Sequence, residues 1–157
     1  MKVSGVDLSE EGIRAAANAY HSSGIRFAVG DIFNIPFSIK YDCVFVRSCS
    51  LYNTIEFIKN AGVTEKLLRH IKKGGLFIFA YNTKFTSNKK SDLWMYHSMD
   101  DLHTHFKQYP SAKMFFINRI DAFIFRKYAF NPLVTKMNIS LSKCSGFGGD
   151  LVCTLKV

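Results

Sequence analysis

Tyr41-Asp42-Cys43-Val44-Phe45-Val46 is a nearly continuous apolar run, short and followed by the polar stretch Ser48 to Asn53. A run of this kind suits a strand buried on both faces, and such strands belong to parallel sheets. The segments before it fit that reading. Lys2 to Val6 holds two valines and predicts a first strand, which opens into Asp7-Leu8-Ser9-Glu10-Glu11. There Asp7 or Ser9 can cap a helix whose first turn carries the glutamates. Ile13, Ala16, Ala17 and Tyr20 recur with helical period, and Ser22-Ser23-Gly24 supplies the stop. Arg26 to Val29 predicts a second strand ending at Gly30-Asp31, and Ile32 to Phe37, with Pro36, leads to the Tyr41 run.

The same alternation continues on the other side. A helical stretch containing Ile55 and Ile58 breaks at Asn60-Ala61-Gly62. Thr64 can then cap a helix that faces Leu67, Leu68 and Ile71 inward. Lys72 and Lys73 suit its negative end before Gly74-Gly75 stops it. Leu76 to Ala80 predicts another buried strand. Strands alternating with amphipathic helices specify an α/β sheet with helices on both faces. Further on, Ser98-Met99-Asp100-Asp101 caps a helix carrying Leu102 and Phe106, and a strand is expected near Lys113 to Ile117. Ile120, Phe123, Ile124 and Tyr128 mark a helical stripe. Asn131-Pro132 opens another, with Leu133, Val134, Met137 and Leu141. Gly146, Gly148 and Gly149 turn into Asp150 to Val157, where Leu151, Cys153, Leu155 and Val157 alternate as one face of a final strand.

At 157 residues and 48% apolar composition, the chain fits one domain with a core large enough to need neither disulfide nor structural metal. No apolar run reaches the roughly 18 to 20 residues of a membrane span, and no signal-like segment follows Met1-Lys2, so the cytoplasm is the expected location. Cys43, Cys49, Cys144 and Cys153 form no CxxC pair and no metal-ligand cluster; most are expected in the core. His103 and His105 sit two apart on a helix and point to different faces. The net charge of +9 is unevenly spread: residues 1–58 hold five basic and six acidic side chains, residues 59–157 hold 16 and six. No arginine-rich run or helix-turn-helix pattern accompanies this excess, which favours an ordinary solvated basic face over a nucleic-acid surface and leaves room for an anionic substrate or surface.

In open α/β sheets ligands bind beyond the carboxyl ends of the parallel strands. Asp7 follows the first strand, where a carboxylate can accept both hydroxyls of a ribose. Asp31 follows the second, where it can accept from an adenine amino group while Ile32 packs on the ring. Ser48 follows the third. Each aspartate alone also fits an ordinary helix-cap or turn role.

Val3-Ser4-Gly5-Val6-Asp7-Leu8-Ser9, Gly30-Asp31 with Pro36-Phe37, Tyr41-Asp42-Cys43-Val44-Phe45 and Gly74-Gly75-Leu76-Phe77-Ile78-Phe79, in that order, resemble class I S-adenosylmethionine-dependent methyltransferases of the small-molecule branch. The resemblance covers roughly residues 2 to 82. It implies a Rossmann-like, mostly parallel sheet with helices on both faces and an antiparallel C-terminal strand. It also implies S-adenosylmethionine as cofactor, with Asp7 on the ribose, Leu8 beside the adenine, Asp31 and Ile32 holding the adenine, and Ser48 lining the methionine end. The family's first strand and glycine-rich loop should precede Lys2; Gly146-Phe147-Gly148-Gly149, before the last strand, is in the wrong place to replace them. The expectation is an N-terminally truncated copy, with about 40 further residues upstream, the size of a strand, loop and helix.

The resemblance implies methyl transfer to a small-molecule or carrier-bound acceptor. Two other readings stand beside it: a fragment of a nicotinamide-dependent dehydrogenase, which also places an acidic residue after a strand, and a non-catalytic binding module that completes its sheet with a partner chain. Ser48 to Asn53 lacks the Asn/Asp-Pro-Pro-aromatic pattern of amino-methylating nucleic-acid enzymes. Tyr52, Tyr81 and His97 are polar groups worth locating relative to an acceptor; no catalytic residue is assigned. Residues 1–157 read as a single domain with 118–145 a helical insertion between the last two strands. In the segment from Phe115 to Leu141, Phe115, Phe116, Phe123, Phe125, Tyr128 and Phe130 interleave with Arg119, Arg126 and Lys127, which suits core packing first, and otherwise an acceptor lid or an amphipathic face touching a membrane.

Overall fold

A computed structural model describes residues 2–21, 24–36, 38–47, 49–54, 62–83, 88–89, 95–118, 128, 131–145 and 148–157. Ser48, the helical stretch around Ile55 and Ile58, and the stripe Ile120, Phe123 and Ile124 lie outside the described residues, as do Arg126 and Lys127. The chain divides into two compact units, Met1–Ile39 and Lys40–Val157.

In the first unit, β1 (Ser4–Asp7) and β2 (Arg26–Val29) pair in parallel, from Ser4 opposite Arg26 to Asp7 opposite Val29. They are joined through α1 (Glu10–Ala19). Of the two candidate caps, Ser9 is the one used: its hydroxyl accepts from the Gly12 N–H at 3.0 Å. Asp7 braces the turn instead, its Oδ1 accepting from the Ser9 N–H at 2.8 Å. The apolar stripe of α1 is narrower than expected, with Ile13 and Ala16 half-buried and Ala17 exposed. Tyr20 lies beyond the helix as its C-cap, its ring 6.3 Å from that of Phe27.

The second unit is built on a four-stranded sheet in the order β3 (Tyr41–Arg47), β4 (Ile71–Thr83), β8 (Gly149–Lys156), β7 (Lys113–Asn118). β3 and β4 are parallel, and β8 runs antiparallel to both β4 and β7. Three strands therefore share one direction and the last strand is inserted against them. A small hairpin of β5 (Asn88–Lys89) and β6 (Met95–Tyr96) follows β4.

Register places Val46, Phe79, Cys153 and Met114 in one row across the sheet, with Phe77 and Leu155 on one side of it and Tyr81, Leu151 and Phe116 on the other. All but Met114, which is half-buried, are buried, and this face is the core. α3 (Met99–Phe106) contributes Leu102 and Phe106 to that core. The rings of Tyr52, Phe106 and Tyr81 lie 4.6, 5.0 and 5.7 Å from that of Phe79. Ser98 starts α3 with a reciprocal capping box to Asp101, as its sequence predicts.

Several expectations are corrected. β3 is not buried on both faces: Val46 is buried, whereas Cys43 and Arg47 are exposed and Phe45 is 61% exposed. Successive side chains of β3 alternate between the core face, which holds Val46, and the opposite face, which lacks cover among the described residues. The helix expected to run from Thr64 through Ile71 is α2 (Gly62–Leu68), and Thr64 lies inside it, buried. Ile71 already pairs with Tyr41, whose N–H donates to the His70 carbonyl at 2.8 Å, because the β3 backbone satisfies the chain as soon as the helix ends. Lys72 and Lys73 thus belong to a bulge. Between the pairs Tyr41–Ile71 and Cys43–Leu76, four residues of β4 stand opposite Asp42 alone. Gly74 takes φ +80°, and a Cβ on Gly75 would fall 2.8 Å from the Asp42 carbonyl oxygen, so both glycines are required there. Lys72 bridges to Asp42 at 2.7 Å, and its hydrogen bond and charge hold that carboxyl below the usual range.

α4 (Pro132–Ser145) lies between β7 and β8 and is turned opposite to expectation. Thr135, Asn138 and Ser142 are buried, while Leu133, Met137 and Leu141 are exposed. Both sets have helical spacing, and the small residues are the ones that face inward. Of the cysteines only Cys153 is in the core; Cys43 and Cys144 are exposed and Cys49 is intermediate. Burial pushes the Cys153 thiol up to about 12.

The two faces of the sheet should respond differently to truncation. Phe79→Ala is expected to cost about 3–5 kcal/mol in urea unfolding, the usual range for emptying a buried aromatic site. Phe45→Ser should stay within about 0.5 kcal/mol.

Candidate functional site

The strand-end carboxylates lie where the alternation of strand and helix puts them. Asp7 is the last residue of β1, exposed, with its carbonyl accepting from the Gly30 N–H at 2.9 Å. That bond carries the β1–β2 ladder to its end and leads directly to Asp31, which caps a short 3-10 helix, Ile32–Asn34. Asp31 Oδ1 accepts from the Phe33 N–H at 2.9 Å, and Asn34 Nδ2 approaches Oδ2 at 3.5 Å. Ile32 beside it is half-buried, and Leu8, 67% exposed, follows Asp7. The first unit thus brings Asp7, Leu8, Asp31 and Ile32 to the carboxyl ends of two adjacent parallel strands. Each carboxylate uses an oxygen to fix its own turn and retains further acceptor capacity. Both turn roles and ligand roles are therefore compatible with the geometry.

In the second unit a buried polar cluster gathers beyond the carboxyl ends of β3 and β4. A second 3-10 turn, Ser50–Asn53, follows β3 and buries Tyr52 and Asn53. The Tyr52 hydroxyl and Thr64 Oγ1 are 3.0 Å apart, and Thr64 Oγ1 and His105 Nε2 are also 3.0 Å apart. Asn53 Nδ2 donates to the Tyr81 hydroxyl at 2.9 Å and to the Met95 carbonyl at 3.2 Å. The His97 N–H donates to the same Tyr81 oxygen at 3.2 Å, His97 Nε2 is 3.1 Å from the Thr54 carbonyl, and Thr83 Oγ1 donates to the His97 carbonyl.

Burial dominates the ionisation of this cluster. It raises the phenols of Tyr52 and Tyr81, and that of Tyr109, whose ring centre lies 6.1 Å from that of His105, above their ordinary value. It lowers His97 against the opposing pull of the Thr54 carbonyl. His105 falls from its usual 6.5 to about 4, by burial first and by the charge of His97 second. At neutral pH both imidazoles are uncharged.

Of the groups singled out by sequence, Tyr81 and His97 share a hydrogen bond, and Tyr52 joins a separate arm. Asn53, Thr64 and His105 were missed; two polar residues inside helical patterns at Thr64 and His105 were the available signal. His103 is exposed and His105 buried, as their spacing requires. Tyr52, Thr64 and His97 have at most 1% exposure, so these bonds hold the loops after β3 and β4 together. Among the described residues no group of three His, Cys, Asp or Glu is placed to hold a metal, and no helix is long and apolar enough to cross a membrane.

With this geometry in view, the chain can be set beside known proteins. Residues 1–75 match a family described as Methyltransferase domain. The [4+2]-cyclase SpnF superimposes with TM-score 0.62 at 13% identity, over 99% of this chain and 66% of that one. Phosphoethanolamine N-methyltransferase 2 of Haemonchus contortus, in complex with phosphomonomethylethanolamine and S-adenosylhomocysteine, gives 0.63 at 15% identity, over 99% and 44%. An S-adenosylmethionine-dependent methyltransferase of Mesorhizobium loti gives 0.60 at 11%, over 99% and 80%. No curated protein matches the chain. Residues 1–75 are thus similar to a methyltransferase domain, and the chain shares the fold of these solved structures. The chain spans less than two thirds of the length of the first two of these structures.

Two outcomes are expected from the buried cluster. Tyr81→Phe removes the acceptor of two buried donors and should cost about 1–3 kcal/mol in chemical denaturation. Stability should also fall as pH is lowered from about 6.5 towards 4, because the unfolded chain binds a proton that native His105 refuses. Below that window this contribution is flat. Urea midpoints measured across it should slope less steeply for His105→Gln.

Proposed function

We propose that this chain is the catalytic domain, or part of one, of an S-adenosylmethionine-dependent methyltransferase acting on a small-molecule or carrier-bound anionic acceptor. The observation that carries the reading is the pair of carboxylates, Asp7 and Asp31, beyond the ends of neighbouring parallel strands within the segment that matches a methyltransferase domain. In this reading Asp7 accepts from the ribose hydroxyls, Leu8 borders the adenine, Asp31 accepts from its amino group and Ile32 covers the ring. Ser48 lines the methionine end. Residues 1–157 work as one domain with 118–145 as an insertion, in the cytoplasm.

When bound, the cofactor supplies a methyl group on a sulfonium, which is displaced in line by an acceptor atom. The chain's task is then to bind, orient and exclude water; a general base is needed only where the acceptor must lose a proton. The excess of ten positive charges in residues 59–157 supports an acceptor bearing phosphate or carboxylate. The complex of the Haemonchus contortus enzyme with phosphomonomethylethanolamine is compatible with such chemistry. The resemblance to a [4+2]-cyclase means that the fold alone does not compel methyl transfer.

Calorimetry with S-adenosylmethionine, S-adenosylhomocysteine and NAD tests the reading. Binding of the first two and not of NAD is expected, with Asp7→Ala weakening S-adenosylhomocysteine by about tenfold, the size of one lost charge-assisted bond. Preferential binding of NAD would favour a dehydrogenase, and binding of none would leave a module that acts by contact with another chain. Transfer of a labelled methyl group to phosphate-bearing amines is the further check on activity.

A further inference from the structure

We propose that α4 has two seatings on β7 and passes between them by turning about its own axis. The helix packs against β7. Its inward row is Thr135, Asn138 and Ser142, all buried, and Thr135 Oγ1, Asn138 Nδ2 and Ser142 Oγ have no hydrogen-bond partner. Three buried polar groups on one face, each stripped of water without replacement, work against the seating they occupy. Leu133, Met137 and Leu141, on the outward side, are 70%, 62% and 58% exposed. Each row of the helix thus lies in the environment that suits the other.

One motion corrects both. At about 100° per residue the centres of the two rows lie about 130° apart, so a turn of that size exchanges them. Leu133, Met137 and Leu141 come onto the sheet, and Thr135, Asn138 and Ser142 go to water. Lys136 and Lys143, exposed in the first seating, remain in solvent in the second. Half-buried Val134 stays at the margin, and Ile139 gives up its partial cover.

Side-chain size separates the two seatings. A row of Thr, Asn and Ser lets the helix lie close to β7, whereas two leucines and a methionine need a wider spacing. Hydrogen bonds at the helix ends turn with it: the Leu133 N–H donates to Asn131 Oδ1 at 2.9 Å, and the Ser145 hydroxyl to the Leu141 carbonyl at 2.7 Å. The junction with β8 reads Gly146-Phe147-Gly148-Gly149, and glycine accepts the dihedral change that a pivot requires. A guest that pairs with the inward polar row selects the first seating; withdrawal of the apolar row from water selects the second. Neither seating requires a bound cofactor.

Thiol labelling of the full chain tests the motion. With Cys43, Cys49 and Cys144 replaced by Ser, buried Cys153 remains as a slow reference. Ser142→Cys should then label at least roughly tenfold faster than Cys153, while the amides of α4 stay protected from exchange, because a turning helix keeps its own hydrogen bonds. Met137→Ser, at an exposed position, weakens the second seating, and Asn138→Leu strengthens the first. Each should slow the label at position 142 by roughly tenfold, about the effect of one buried apolar side chain. A helix that only frays would label no slower with Met137→Ser. Labelling as slow as that of Cys153, amides that exchange as fast as the thiol reacts, or either variant labelling no slower would overturn the proposal.

Discussion

Phe79 has no access to solvent and meets rings from three separate parts of the chain: Tyr52 after β3, Tyr81 on its own strand and Phe106 on α3. Most of the second unit follows from this one packing requirement. Two of its neighbours are tyrosines, so closing the cluster takes phenolic oxygens out of water and obliges the surroundings to supply partners. Asn53, the backbone of His97 and Thr64 do so. Loops that would otherwise be free at the carboxyl ends of β3 and β4 are thereby tied to the core. Apolar packing and polar satisfaction are the same event here, which is why buried imidazoles occur in a region with few buried charges.

The first unit rests on a lighter arrangement. Its helix buries no residue fully, and its turns are held by side-chain carboxylates and a serine hydroxyl that bond to nearby backbone N–H groups. Turns of that kind present acidic oxygens at strand ends at little structural cost. The same residues can shape the loop and still offer acceptors to a ligand, so their local role and a ligand role are not alternatives. Structures of a cyclase and of methyltransferases are about equally similar to this chain, and chemistry in such a scaffold is therefore decided by side chains and not by the sheet.

Strand and helix order was largely legible, because alternation between apolar runs and capped amphipathic stretches is a local property. β2 falls on Arg26–Val29, and α3 starts at the Ser98 capping box. What was not legible depends on partners. The apolar run at Tyr41 looked two-sided because hydropathy cannot say which face of a strand its neighbours cover. Ile71 to Lys73 looked helical because their spacing continues that of Leu67 and Leu68, yet β3 offers them a ladder. α4 carries two periodic stripes, and ranking them by hydropathy chose the one that faces outward. At the site, the carboxylates could be placed by their position after strands, whereas the Tyr52–Thr64–His105 arm joins residues 12 and 41 positions apart and leaves no local trace.

The four residues of β4 that stand opposite Asp42 have a consequence for how this chain tolerates change in length. Upstream of Leu76 the ladder is already out of step, so a residue gained or lost within the bulge would be absorbed where no side chain is committed to the core. Downstream, Phe77, Phe79, Tyr81 and Thr83 share one parity, and a single added residue would turn all four outward and break their match to β8. Lineages of this sequence should therefore vary in length at the exposed Lys72 and Lys73, and keep both glycines and a strict count immediately after them.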